Sequence, residues 1–226
     1  MASTAPRPPA CILGQRITVR GTLTGEEDLV VEGRIEGSVS LAGHLIVAQG
    51  GVLEMALVST AAVSGNVREF ALFDLPFLFA DEREAYAVLD GAVGRQLLDK
   101  LGDKGLVGLC YWEVGFRHVT NSRRPVLKAD DLKGLKIRTI QNPVFVDVFA
   151  ALGANATPMA FPEVYGALES KALDGQETPY NVIYTSRFHE VQKYLSATRH
   201  IYGPGVVLVG RKFWDPLSAP EKKALQ

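Results

Sequence analysis

The sequence predicts a mixed fold, a short β-repeat followed by a larger α/β segment. Three observations lead to it. All 19 aromatic residues lie at or beyond Phe70, and every lysine lies at or beyond Lys100. Residues 17–69 are dense in β-branched residues and repeat an apolar-x-Gly-x-apolar pattern. From Phe70 onward, strand-length apolar runs alternate with runs at helical spacing. A single core seldom divides composition so sharply. A disordered arm is therefore expected over 1–13, a β-repeat over 14–69 and a separate α/β domain over 70–226.

Formal net charge is −1, so no broad basic field points to nucleic acid, and none is expected as a partner. Cys11 and Cys110 have neither metal-ligand nor redox spacing. His44, His118, His189 and His200 are scattered, so no metal and no cofactor is expected. The first ten residues hold three prolines and no apolar core, unlike a secretory leader. No run approaches the roughly 20 apolar residues that span a bilayer.

Within the first piece the pattern occurs at Val19-Arg-Gly21-Thr-Leu23, Val31-Glu-Gly33-Arg-Ile35, Ile35-Glu-Gly37-Ser-Val39 and Val63-Ser-Gly65-Asn-Val67. Period-2 alternation with glycine punctuation predicts short strands and tight corners. An 18-residue frame aligns Ile17, Ile35 and Leu53, and also Leu23 with Leu41 and Leu29 with Val47. Such a frame suits stacked parallel rungs, which bury their inner faces only against one another. Spacing alone leaves an antiparallel meander equally open. Residues 15–39, most specifically Leu23 to Val39, resemble a bactofilin, a bacterial cytoskeletal protein that polymerises through its β-helix. The resemblance covers about residues 12–67. It implies a short right-handed parallel β-helix and self-association through it.

In the second piece, Phe73–Phe79 is an apolar aromatic run and residues 82–102 are expected to form one helix, with Ala85, Leu89 and Leu97 on its apolar face. Leu106–Trp112 and Leu135–Arg138 are expected as strands. Asn142-Pro143 supplies an N-cap and a first-turn proline, and Gly153 ends that helix. Phe161-Pro162-Glu163 opens the next helix, Asp174-Gly175 is expected as a turn, and Ser218-Ala-Pro220 starts a final helix. Strands alternating with helices predict α/β layering.

Five motifs then occur in order. They are Gly115-Phe-Arg-His-Val-Thr-Asn121, Asp131-Leu-Lys-Gly-Leu-Lys-Ile-Arg138, Leu152–Phe161, Leu173-Asp-Gly-Gln-Glu-Thr-Pro179 and Phe188–Tyr194. Together they resemble the substrate-binding proteins of tripartite ATP-independent periplasmic (TRAP) transporters, the DctP-like family, over about 155 residues. The resemblance implies a two-lobed receptor that closes on a small organic acid in the periplasm and delivers it to membrane permease subunits. It implies no enzymatic activity. Arg138 is implied as the carboxylate contact and Arg117 as a second; a guanidinium presents a planar fork matched to a carboxylate. Glu177 and Thr178 fall in the family's ligand-binding motif, with Thr178 where the family often has Asn. Trp112, Phe116, Phe161 and Tyr180 are candidate apolar walls.

The alternatives are blander. Arg138 by position alone would be a solvated strand-end residue, and Arg117 has exposed basic neighbours in Arg123 and Arg124. Glu163 and Glu177 could pair for acid–base chemistry, but Glu163 suits a helix N-terminus better. His118 and His189 read as incidental. Both pieces are expected to be incomplete relative to the families they resemble, which predicts impaired acid binding. The remaining functional alternative is a bactofilin-like filament protein with an appended domain.

Overall fold

The computed structural model describes residues 11–25, 29–41, 45–47 and 55–225. Residues 1–10 of the expected arm, His44 and the frame position Leu53 lie outside the described residues.

The first piece pairs in parallel, not as a meander. Strands β1 (Cys11–Leu13), β3 (Leu29–Val31) and β5 (Leu45–Val47) form one sheet, and β2 (Thr18–Gly25) and β4 (Arg34–Leu41) form a second. Chain order alternates between the two sheets. Cys11–Leu13, expected to belong to the arm, are ordered by pairing with Leu29–Val31. The 18-residue frame also needs correction. Cys11 pairs with Leu29 at that offset, but Val19 pairs with Ile35, Leu23 with Val39 and Leu29 with Leu45, all 16 apart. Corner length is the reason. Residues 14–17 separate β1 from β2, and the corner is closed by a hydrogen bond from Ile17 N–H to the Gly14 carbonyl. Only Glu32 and Gly33 separate β3 from β4. Leu13, Leu29 and Val31 bury a small core with Val19 and Ile35 against it.

The α/β segment begins before the aromatic seam. Strand β6 (Met55–Ser59) and helix α1 (Thr60–Val63) already belong to it, because β6 is the edge strand of its sheet and Val63 and Val67 join its core. The expected division at 69/70 is thus a change in composition within one packed unit. Helices α2 (Glu82–Leu89) and α3 (Ala92–Lys100) follow, then β7 (Leu106–Asn121), β8 (Lys136–Thr139), α4 (Pro143–Ala151) and β9 (Asn155–Pro158). Next come α5 (Val164–Glu169), β10 (Gly175–Pro179), α6 (Tyr180–Thr185), α7 (Phe188–Val191), β11 (Tyr194–Ser196), β12 (Tyr202–Gly210), α8 (Arg211–Trp214) and α9 (Ala219–Leu225).

The single helix expected over 82–102 is two. Asp81 caps α2 by accepting from Glu84 N–H at 2.9 Å. The chain then breaks at Asp90-Gly91, with Gly91 as the extended N-cap of α3. Asn142 caps α4 by accepting from Val144 N–H at 2.9 Å, Pro143 opens it, and Gly153 follows it with φ +81°, as local chemistry required.

Strand β7 organises the molecule. The sheet runs β6-β12-β7-β10-β8-β9, with β11 also on β7. Residues 106–116 of β7 pair with β12, and residues 117–121 pair with β10 on one side and, at 119–121, with β11 on the other. The change of partner falls between Phe116 and Arg117, just past Gly115, whose φ of +105° a side chain would strain. Two cores flank this crossing. One gathers Phe70, Phe73, Phe79, Phe116 and Tyr202; the other gathers Val119, Leu135, Ile137 and Phe149. Phe73 and Phe79 of the aromatic run are core, whereas Phe77 is 68% exposed.

Gly175 is not in a turn but is the first residue of β10, opposite Asn121. A Cβ there would collide with the Thr120 backbone carbonyl and press on the Ile137 side chain. Gly175→Ala is therefore expected to destabilise the fold by about 1–3 kcal/mol, as overpacking does. A lowered urea midpoint checks it, and an unchanged midpoint contradicts it.

Candidate functional site

Three strands bring the charged residues together. In β10, Gln176 pairs with Arg138 of β8 in parallel, and Pro179 pairs with Arg117 of β7 in antiparallel register. Arg138 sits near the C-terminal end of a parallel strand and one loop ahead of α4. This is the edge where open α/β sheets present groups to ligands. The α4 N-terminus, with its positive dipole end, opens onto the same space.

Arg117 is 6% exposed and is held by Glu177, which has no exposed surface. Nε and Nη2 donate to the two carboxylate oxygens, the Nη2 bond at 2.9 Å, and Nη2 also donates to the Glu177 carbonyl at 2.8 Å. His200 Nε2 lies 3.2 Å from the same carboxylate, and its Nδ1 lies 2.8 Å from Thr198 Oγ1. Burial alone would raise the Glu177 carboxyl; the Arg117 charge and the bonds from His200 and Arg117 overcome it and hold it at about 2. Phe145 packs its ring 5.2 Å beneath the Arg117 guanidinium. Glu177 is thus committed to holding Arg117.

Arg138 is 4% exposed and differently held. Its Nε and Nη2 donate to the Met159 carbonyl at 2.9 and 2.7 Å, and Phe161 lies 5.7 Å from it. Among the described residues no carboxylate forms an ion pair with it. Met159 takes one edge of the guanidinium, so the end-on edge, Nη1 with the second Nη2 hydrogen, stays available for a carboxylate. Burial lowers its pKa to about 10, against the pull of Glu177, so it remains a cation at neutral pH. It lines a cleft of about 450 Å³ whose other walls include Ala61, Ser64, Gln141, Asn142 and Phe161.

Asn142 ties the two halves across this cleft. Its Nδ2 donates to the Ala61 carbonyl, Ser64 Oγ and Asp74 Oδ2, the last at 2.9 Å. Asp74 is 2% exposed; burial pushes its carboxyl up to about 6 in spite of Asn142 and the Arg117 charge. Asn142 is legible from sequence only as the N-cap of α4, and Asp74 not at all, because the contacts that join them to this cleft link residues 68 to 81 apart.

The remaining candidates divide. Phe161 joins Arg138. Phe116 and Tyr180 line a separate cleft of about 370 Å³ with Arg199, Glu82 and His118. There Arg199 stands 4.0 Å over Phe116, and Tyr180 stacks on His118 at 3.8 Å. Burial, then the charges of His200 and Arg199, depress the His118 imidazole to about 4, so it is neutral there. Thr178 is buried in β10 opposite His118. Trp112 stands apart: it is 58% exposed on β7 opposite Gly205, in the half paired to β12. It is thus an exposed strand residue, not a wall of either cleft described.

The model of the bacterial extracellular solute-binding protein, family 7 (DctP), matches residues 44–226. The model of the bactofilin family, polymer-forming cytoskeletal, matches residues 11–71. The 2,3-diketo-L-gulonate-binding periplasmic protein YiaO of Escherichia coli is 45% identical over 177 residues, 78% of this chain and 54% of that protein. The C4-dicarboxylate-binding periplasmic protein DctP of Rhodobacter capsulatus is 38% identical over 71% of this chain and 48% of its own length. The chain thus spans about half the length of the curated relatives it matches. Among solved structures, the sugar acid binding protein DctPAm of Advenella mimigardefordensis in complex with galactonate superposes with a TM-score of 0.77 at 40% identity, covering 94% of this chain and 76% of that one. A TRAP periplasmic solute-binding protein from Polaromonas bound to D-erythronate gives 0.77 at 35% identity, over 92% and 76%. The overall fold is therefore shared with this group, and the chain belongs to the bacterial extracellular solute-binding protein family 7.

Proposed function

We propose that this chain is the solute receptor of a TRAP transporter and binds an organic acid through a two-point contact between its carboxylate and Arg138. The observation that carries the reading is a buried guanidinium that forms no ion pair among the described residues and faces a cleft between two packed halves. Leaving such a charge buried without an anion is costly, and an incoming carboxylate offsets that cost. On this reading Arg117 braces Thr178 and β10 through Glu177, and Phe161 shields the ligand. The receptor has no enzymatic role, works in the periplasm and hands its acid to membrane permease subunits. The relatives that bind 2,3-diketo-L-gulonate, C4-dicarboxylates and galactonate support the ligand class.

We further propose that the chain divides near residue 54 and that residues 11–47 form a bactofilin-like β-helix able to self-associate. Two-sheet parallel pairing and the second family match favour this reading. Filaments in electron micrographs that vanish when residues 1–50 are deleted would support it.

Galactonate titrated into the full chain is expected to raise the melting temperature by mass action, whereas galactitol, which lacks the carboxylate, is expected to leave it unchanged. Equal shifts from both would contradict carboxylate recognition.

A further inference from the structure

The receptor reading names an acid; the distribution of charge around the cleft narrows it. Among the described residues that line the cleft, Arg138 alone is charged. The other polar side chains lining it are uncharged: the Ser64 hydroxyl and the Gln141 and Asn142 amides. The Gln141 amide carries donor and acceptor groups that suit hydroxyls, whereas the Asn142 amide is engaged by Ala61, Ser64, Asp74 and Val144. The second guanidinium close by, Arg117, is already spent on Glu177. Behind the Asn142 wall stands a buried carboxyl, Asp74, 2.9 Å from the Asn142 amide. Its electrostatic partner is again Arg117. Glu163, beside Phe161, adds a further negative charge acting on Arg138. Arg117 and Arg138 are thus set against Glu177, Asp74 and Glu163. One added carboxylate can pair directly with Arg138, with which none of these three forms an ion pair. A second, at the far end of the same ligand, would meet neutral amides with a carboxyl behind them.

We propose that this cleft selects acids with a single carboxylate and an uncharged, hydroxyl-bearing body over dicarboxylates, and that Asp74 enforces the selection by repelling a second negative charge. The proposal rests on the receptor reading above. Selectivity of this kind combines attraction at one end with repulsion at the other.

Competition between galactonate and succinate for the full chain, followed by ligand-observed NMR near neutral pH, tests it. Galactonate is expected to bind about tenfold or more tightly than succinate. In Asp74→Asn, with folding verified by circular dichroism, the preference is expected to shift toward succinate, because only succinate carries the second carboxylate that Asp74 repels. Succinate binding as tightly as galactonate to the unaltered chain would overturn the proposal while leaving the receptor reading standing. An unshifted preference in Asp74→Asn would remove Asp74 from it. Binding of neither acid would sink the receptor reading and this inference together.

Discussion

Replacing Arg138 with alanine is expected to weaken binding of galactonate roughly 100-fold, about 3 kcal/mol. The side chain is the only charged group on the described cleft wall, and Met159 fixes one edge so that the other meets the ligand already oriented. Pre-orientation matters because little rotamer entropy remains to be lost on binding. Arg138→Lys separates charge from geometry. It keeps a cation but presents a point charge in place of a fork, so it should recover part of the affinity, leaving a loss of about tenfold. Titration calorimetry of the three proteins measures the series. Equal affinity in all three would mean that the acid does not meet this residue. Circular dichroism should remain unchanged, since the fold loses only two bonds to one backbone carbonyl.

The second large effect concerns stability. Glu177→Gln leaves Arg117 buried beside a neutral amide, and breaking a buried pair from one side costs about 3–5 kcal/mol. The pH dependence has a defined sign. In the folded chain the Glu177 carboxyl is depressed to about 2 from its ordinary value of 4.5. Its stabilising contribution is therefore complete above that ordinary value and is lost as pH falls through the window between the two. Urea unfolding should show the variant much weaker at neutral pH, with the two stabilities converging in acid. A constant difference across that window would show that Glu177 is not the titrating partner. Because Arg117 and Glu177 hold β7 to β10, the loss should also loosen the strand that carries Thr178.

What the sequence disclosed, and what it hid, follows from the range of each interaction. Asn142-Pro143 was legible because an N-cap needs only its own next few residues. Arg138 stands out in its motif, but its burial beside a cleft depends on the Met159 carbonyl, 21 residues away, and was not readable from the strand alone. The break between α2 and α3 was not foreseen, because Ala85, Leu89 and Leu97 keep one apolar phase across Asp90-Gly91. The 18-residue frame failed by two residues because corner length, not strand content, sets the offset between rungs. Strand β6 was hidden because its partner β12 lies about 150 residues away. The commitment of Glu177 to Arg117 and His200, and of Asp74 to Asn142, likewise depends on contacts far apart in the chain. Trp112 was read as a wall because of its chemistry, but it stands on the half of β7 that pairs with β12, on the other side of the Gly115 crossing from Arg117.

The most direct test of the account is to watch the Arg138 guanidinium itself. In protein labelled with ¹⁵N-arginine, its Nε and Nη signals, assigned by their loss in Arg138→Lys, should shift and sharpen on addition of galactonate and saturate with the same curve as the binding heat, while those of Arg117, already held by Glu177, move little. Saturable heat with Arg138 signals that never move would contradict the account, because the acid would then be held somewhere other than this cleft.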